Sequence, residues 1–264
     1  MIDGVEVVRH PRARVARLSV DPATGRVRLT VPKRMALAKA VAWAGEKAEW
    51  IAAQRAKLPQ GRPFVDGAVV PVADRAVRLV WDEKAPRMAK RLFATDHTPA
   101  QAGGERQAEL PSVIAALDPR LRGDTDGVEA DILTCGGPIE QFPARIERWL
   151  KREALRVLAE DTAHYAAKAG VSVSQVAIGD PKARWGSCSA SGTIRYSWRL
   201  LLAPTFVRRA TVAHEVAHRV HMHHGPAFHA LVADLFEGDP DAARRWLRSD
   251  GATLHWFGRA SSSG

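Results

Sequence analysis

The stretch HEVAHRVHMHHGPAFH, residues 214–229, carries six of the chain's ten histidines. It opens as H-E-x-x-H, with His214, Glu215 and His218. Residues four apart share a helix face, so His214 and His218 can hold one metal together if this stretch is helical. Glu215 then projects beside them, where a carboxylate can take a proton from a metal-bound water and return it to a leaving group. The fold is constrained at its centre: a helix from about residue 205 must carry the first histidines. Gly225-Pro226 must then open another helix, because proline suits a first helical turn.

Six imidazoles exceed what one catalytic zinc takes, which is usually three protein ligands and one open position. His221 sits about 10 Å along the axis from His214 at a rise of 1.5 Å per residue, awkward for a shared metal in an unbroken helix. His223 and His224 are adjacent and point in different directions. His229 falls inside the following helix, on an apolar stripe or a solvent edge. His224, just before the Gly225-Pro226 break, is the best third ligand, since a chain reversal there swings its ring back over the site.

The net charge is +10, and it is uneven. Residues 1–65 hold thirteen Lys or Arg against five Asp or Glu. A basic N-terminal third fits a nucleic-acid or other polyanion surface, or a solvated arginine-rich face in a chain where arginine is scattered throughout. The two cysteines, Cys135 and Cys188, cannot build a disulfide framework and imply a reducing compartment. The first fifteen residues have no apolar signal-like core, and no apolar run approaches a membrane span of ~18 residues. The expectation is a cytoplasmic protein without a membrane partner.

Alternating Val and Leu in VEVVRH, RVARLSV and RVRLTV predict a small antiparallel sheet over residues 4–31. Residues 35–58 predict one Ala-rich helix, and DGAVVPVADRAVRLVWD two further strands. Residues 94–141 are rich in Gly, Pro, Asp and Ala without a sustained period, and read mostly as an irregular insertion or linker. The piece SVIAALDPRLRGDT resembles translated repetitive elements of some bacterial reading frames. From Pro143 a long helix is expected, with Ile146, Trp149, Leu150, Val157 and Leu158 buried and a stop at Gly170. A strand (VSVSQVAIGD), a hairpin over ARWGSCSASGTIRYSWRLLLAP, and the histidine helices follow. The division expected is a basic β-rich region with one helix (1–93), the insertion (94–141), a metallohydrolase domain (142–250) and a C-terminal tail (251–264).

ARWGSCSASGTIRYSWRLLLAP followed by VAHEVAHRVHMHHGPAF resembles the YgjP-like metallopeptidase family, of zincin fold and related to the SprT-like proteases. The pattern is an RWGSC hairpin at 184–188, a Leu-rich strand ending in Pro204, then HExxH and His224-Gly-Pro-Ala-Phe. The joint occurrence is far more specific than HExxH alone. It implies an α+β, zincin-like metallohydrolase domain behind a small β-rich N-terminal region. It also implies zinc (Zn2+) on His214, His218 and His224, with Glu215 as base.

In such a fold the strand beside the metal helix can pair with an extended peptide. Gly186 and Ser187 would then border the substrate, Arg184 would orient a carboxylate or stabilise an oxyanion, and Trp185 would wall the cleft. Equally, Trp185 and Cys188 can pack the core, Arg184 can form a structural ion pair, and Gly186 can mark a bulge. The leading expectation is a zinc peptidase acting on a peptide or protein. A metal-dependent nucleotide or phosphoanhydride hydrolase is the second, although no glycine-rich phosphate loop is present. A hydrolase recruited to DNA or RNA through its basic N-terminal region is the third.

Overall fold

A computed structural model describes residues 5–93 and 130–260. They fall into two compact units, one ending at Gly61 and the other covering Arg62–Ala260. The bulk of the expected insertion, 94–129, lies outside the described residues.

The first unit is a three-stranded sheet with two helices. Its central strand β3 (Val27–Pro32) alternates strictly, burying Val27, Leu29 and Val31. It is flanked by β1 (Val5–His10) and β2 (Arg17–Val20). The sheet is mixed rather than antiparallel: β2 pairs with β3 antiparallel, but β1 runs parallel to it. The helix expected over 35–58 is two helices, α1 (Leu37–Gly45) and α2 (Ala48–Ala56). The break follows Gly45, a poor helix former, and Lys47 leaves helical geometry at φ −100°. Leu29, Val31, Ala40 and Ala44 form the core of this unit.

The second unit is α+β. One sheet has the order β4-β5-β7-β6, from Val69–Val72, Arg75–Trp81, Asp131–Cys135 and Lys90–Leu92. This corrects two boundaries. The strands over 69–92 belong with the unit that carries the histidine helices rather than with the basic N-terminal region, because β5 and β6 both pair with β7. Residues 131–141 are no irregular linker either: β7 is an interior strand with Leu133 and Cys135 buried, and Phe142 already starts the long helix. Burial pushes the Cys135 thiol up, so it is a core thiol.

That helix, α3 (Phe142–Ala169), buries the expected Ile146, Trp149, Leu150, Val157 and Leu158. It ends at Gly170 in the left-handed conformation, φ +65°. It packs on β7, on β8 (Gln175–Gly179), and on α4 (Thr205–Ala217). The second sheet has the order β8-β10-β9, with β9 (Gly186–Cys188) and β10 (Thr193–Ser197) as the expected hairpin. The Leu-rich stretch after it is not a strand. Five consecutive buried residues, Trp198–Leu202, coil into a 3-10 turn, which a strand alternating between two faces does not accommodate on one side. α5 (Pro226–Leu235) and α6 (Pro240–Ser249) complete the α-helices among the described residues. The expected tail is largely structure: Gly251–Trp256 form a 3-10 helix, and Leu254, His255, Trp256 and Phe257 are buried. Among the described residues no helix is long and apolar enough to cross a membrane.

The first sheet of this unit is closed electrostatically. Asp131 is 0 % exposed and takes both Nε and Nη2 of Arg75, each at 2.9 Å, together with Arg91 Nη2 at 2.6 Å. Two arginines from β5 and β6 thus meet on one carboxylate of the strand between them. Asp131→Asn keeps the shape but removes the charge that pairs them, and is expected to cost about 3 kcal/mol. Urea unfolding with an unchanged slope checks this.

Candidate metal centre

α4 is buried on nearly every side. Val207, Arg208, Ala210 to Ala213 and Glu215 to Ala217 are all enclosed. Such a helix belongs to a core rather than a surface. A buried ion pair holds it, with Arg208 Nε donating to Asp161 of α3 at 2.8 Å. The face it leaves half open is the one carrying His214 and His218.

The helix ends at Ala217, and His218 occupies the closing turn. Val220 and His221 both donate their backbone N–H to the Ala217 carbonyl, which turns the chain back. Gly225, extended at ψ 178°, then leads into α5. The reversal brings His224 over the helix. Its Nε2 lies 3.2 Å from Nε2 of His214, and the ring centroids of His218 and His224 are 4.7 Å apart. One ring nitrogen from each of His214, His218 and His224 lies within 4.8 Å of the other two. The remaining histidines stay outside that triad. His221 contributes its carbonyl, which accepts from His218 Nδ1 at 3.0 Å and so leaves His218 Nε2 free of a proton. His223 is exposed, and His229 stacks behind His224 at 6.4 Å.

Phe228 lies against all three rings, with centroid distances of 4.8, 4.5 and 4.8 Å to His214, His218 and His224. It is fully buried. In the sequence it stands out only as part of HGPAF, where its place in the first turn of the helix after His224 is the available signal. Burial, and then the neighbouring imidazoles, push His214 down to about 4, so its ring is neutral near pH 7.

The donor set suits zinc. Two nitrogens at about 2.0–2.1 Å from one tetrahedral ion stand about 3.3 Å apart. The 3.2 Å between His214 and His224 matches that before any ion is considered.

Glu215 is 6 % exposed. Burial raises its carboxyl to about 7, with the charge of Arg184 pulling the other way. The wall that buries it is backbone. A Cβ on Gly186 would lie 2.6 Å from Glu215 Cγ and 2.7 Å from its Cδ, so only glycine lets β9 approach this closely. The tight approach expected at Gly186 is therefore to this carboxylate. Arg184 is exposed, and Ser187 is paired with Arg195 of β10. Trp185 turns toward the C-terminal 3-10 helix and stacks on His255, 5.2 Å between centroids and 25° between planes. Cys188 is half-buried and its thiol is pushed up by burial.

Sequence reasoning missed His255, Arg199 and Asp180. Arg199 is buried, pairs with Asp180 Oδ1 at 2.7 Å, and donates to the carbonyls of Leu254 and Phe257 at 2.7 and 3.0 Å. The apolar density of TLHWF at 253–257 was the signal that this was no tail. Gly186→Ala drives a methyl group into the Glu215 side chain and is expected to cost about 1–3 kcal/mol. Denaturant unfolding measures this, with zinc stoichiometry unchanged because none of the three imidazoles is touched.

Residues 15–122 and 130–250 match the family model described as YgjP-like, metallopeptidase domain. No curated protein and no solved structure shows a significant match to the chain. With most of its length covered by that model and three imidazoles converging beside a buried glutamate, the chain belongs to the YgjP-like metallopeptidase family.

Proposed function

We propose that the protein is a zinc-dependent peptidase of zincin-like architecture, with His214, His218 and His224 as ligands and Glu215 as general base. The observation that carries this reading is the 3.2 Å approach of the His214 and His224 ring nitrogens beside a glutamate shifted toward neutrality. Zinc bound there supplies a Lewis acid for the scissile carbonyl and acidity to water.

The chain's own residues do the rest. Glu215, whose carboxyl is raised close to working pH, accepts a proton from water and hands it to the leaving amine. The His221 carbonyl holds the His218 ring in the tautomer that presents Nε2. β9 is an edge strand that packs against α4, and its outer edge is suited to pairing with an extended peptide. Arg184, exposed beside Glu215, is suited to a substrate carboxylate or a developing oxyanion.

A second reading, phosphoanhydride hydrolysis of a nucleotide, is favoured by one observation. Arg184 acts on Glu215 and Arg244 on His214, so cationic groups reach this site from two elements. Elemental analysis is expected to find one zinc per chain in the wild type and in Glu215→Gln, and little in His224→Ala. Cleavage of an unfolded protein should fall about 10²–10⁴-fold in Glu215→Gln. Turnover of nucleoside triphosphates but not of protein, lost in the same variant, would transfer the assignment to the second reading.

The first unit adds a proposed polyanion surface, since Arg9, Arg12, Arg14, Arg17, Arg26, Arg28, Lys33 and Arg34 are all exposed on it. Binding to single-stranded or duplex nucleic acid should weaken steeply between 50 and 200 mM salt, as counterion release requires. A salt-independent signal, or one retained without residues 1–61, would remove this contribution.

A further inference from the structure

The backbone that encloses Glu215 is itself held in place from behind. β9 meets Glu215 at Gly186, and the preceding residue, Trp185, turns its ring away from the metal triad onto the C-terminal segment. The ring is gripped on two sides. His255 stacks on it at 5.2 Å, and Gly251 fits against its edge so closely that a Cβ there would stand 2.9 Å from Cζ2. Trp185 also accepts the Ser197 N–H at 2.8 Å, which joins it to the end of β10.

The C-terminal segment is anchored in turn. Arg199 donates to Leu254 and Phe257, and its charge is matched by Asp180. Arg62 donates its backbone N–H to Trp256 at 2.9 Å and accepts from Gly258 at 2.8 Å. His255 is 2 % exposed and faces two charged groups, Lys182 Nζ at 3.4 Å from Nδ1 and Asp180 Oδ1 at 3.7 Å. The lysine ammonium donates to Nδ1, which leaves the ring proton on Nε2.

We infer that Trp185 and His255 are positioning residues: the segment Gly251–Phe257 clamps the edge strand β9 in register with Glu215 and the histidine triad, and so sets how a substrate strand is received. The inference rests on the peptidase reading for what β9 receives, and on geometry alone for the clamp. It assigns a role to a segment more than sixty residues from RWGSC and some thirty beyond His224 in the chain, with no atom in the zinc site.

Three variants test it in the zinc-loaded full chain. In His255→Ala the stack is lost. KM for an unfolded-protein substrate should rise about fivefold, the scale of one aromatic pair, with zinc content unchanged. Amide exchange at Ser197 should accelerate, because its acceptor is the Trp185 carbonyl. His255→Phe keeps a stacking ring without the imidazole nitrogens and should restore both KM and protection. Gly251→Ala, which pushes on the same ring from its other side, should raise KM as His255→Ala does.

A fall in kcat alone, with KM unchanged, would mean only a smaller folded fraction and would overturn the inference. So would failure of His255→Phe to rescue, or unchanged Ser197 exchange in His255→Ala. If the wild type cleaves no protein, the peptidase reading fails, and the exchange measurement still decides whether the clamp exists.

Discussion

The contact of Gly186 with Glu215 is the constraint on which the rest of the site depends. A carboxyl kept from bulk water is harder to ionise, and here the peptide backbone at Gly186 covers Glu215 beside the three imidazoles. Any side chain at position 186 would occupy the volume of the carboxyl group. The consequence is a carboxyl with no cation at salt-bridge distance among the described residues, its pKa raised by burial and only partly offset by Arg184. The helix that carries Glu215 is buried so completely that its two half-buried imidazoles have one place to point. The reversal from Arg219 to Gly225 then returns His224 to that place.

Segments far apart in sequence are tied to this centre by buried charges rather than by apolar area alone. Arg208 joins α4 to α3 through Asp161, Arg199 joins Asp180 at the end of β8 to the C-terminal carbonyls of Leu254 and Phe257, and Asp131 gathers β5 and β6 onto β7. Such pairs add little net stability compared with apolar residues of the same shape, but leaving one partner alone is costly. They therefore select one arrangement among several that would bury the same apolar surface. The segment at 251–257 illustrates this, since the carbonyls of Leu254 and Phe257 both accept from one buried guanidinium.

Where the chain's local pattern was strong, it was legible. The stripe Ile146, Trp149, Leu150, Val157 and Leu158 reads as a helix because a 3.6-residue period has few alternatives over that length, and Gly170 ends it. The hairpin at RWGSC and the helix start at Thr205 follow equally from turn and proline chemistry. Residues 131–135 were not legible, because five residues without a neighbour in sequence give no period, and DILTC becomes a strand only through β5 and β6. The parallel pairing of β1 escaped for the same reason: alternation marks a strand but says nothing of its direction. WRLLL looked like strand continuation because a run of buried residues serves a strand or a coil equally well.

The division at the site is similar. Spacing alone put His214 and His218 on one helix face with Glu215 between them, and the Gly225-Pro226 break marked where the chain had to turn toward His224. Those are properties of local backbone geometry, which neighbouring residues dictate. That Phe228 underlies three rings, that Gly186 serves Glu215, and that Trp185 faces His255 rather than the cleft depended on contacts that reach up to 70 positions along the chain. Local preference specifies which conformations a segment can take. Which side chains then share a space is settled only when the segments pack, because burial and charge pairing are properties of the assembled core.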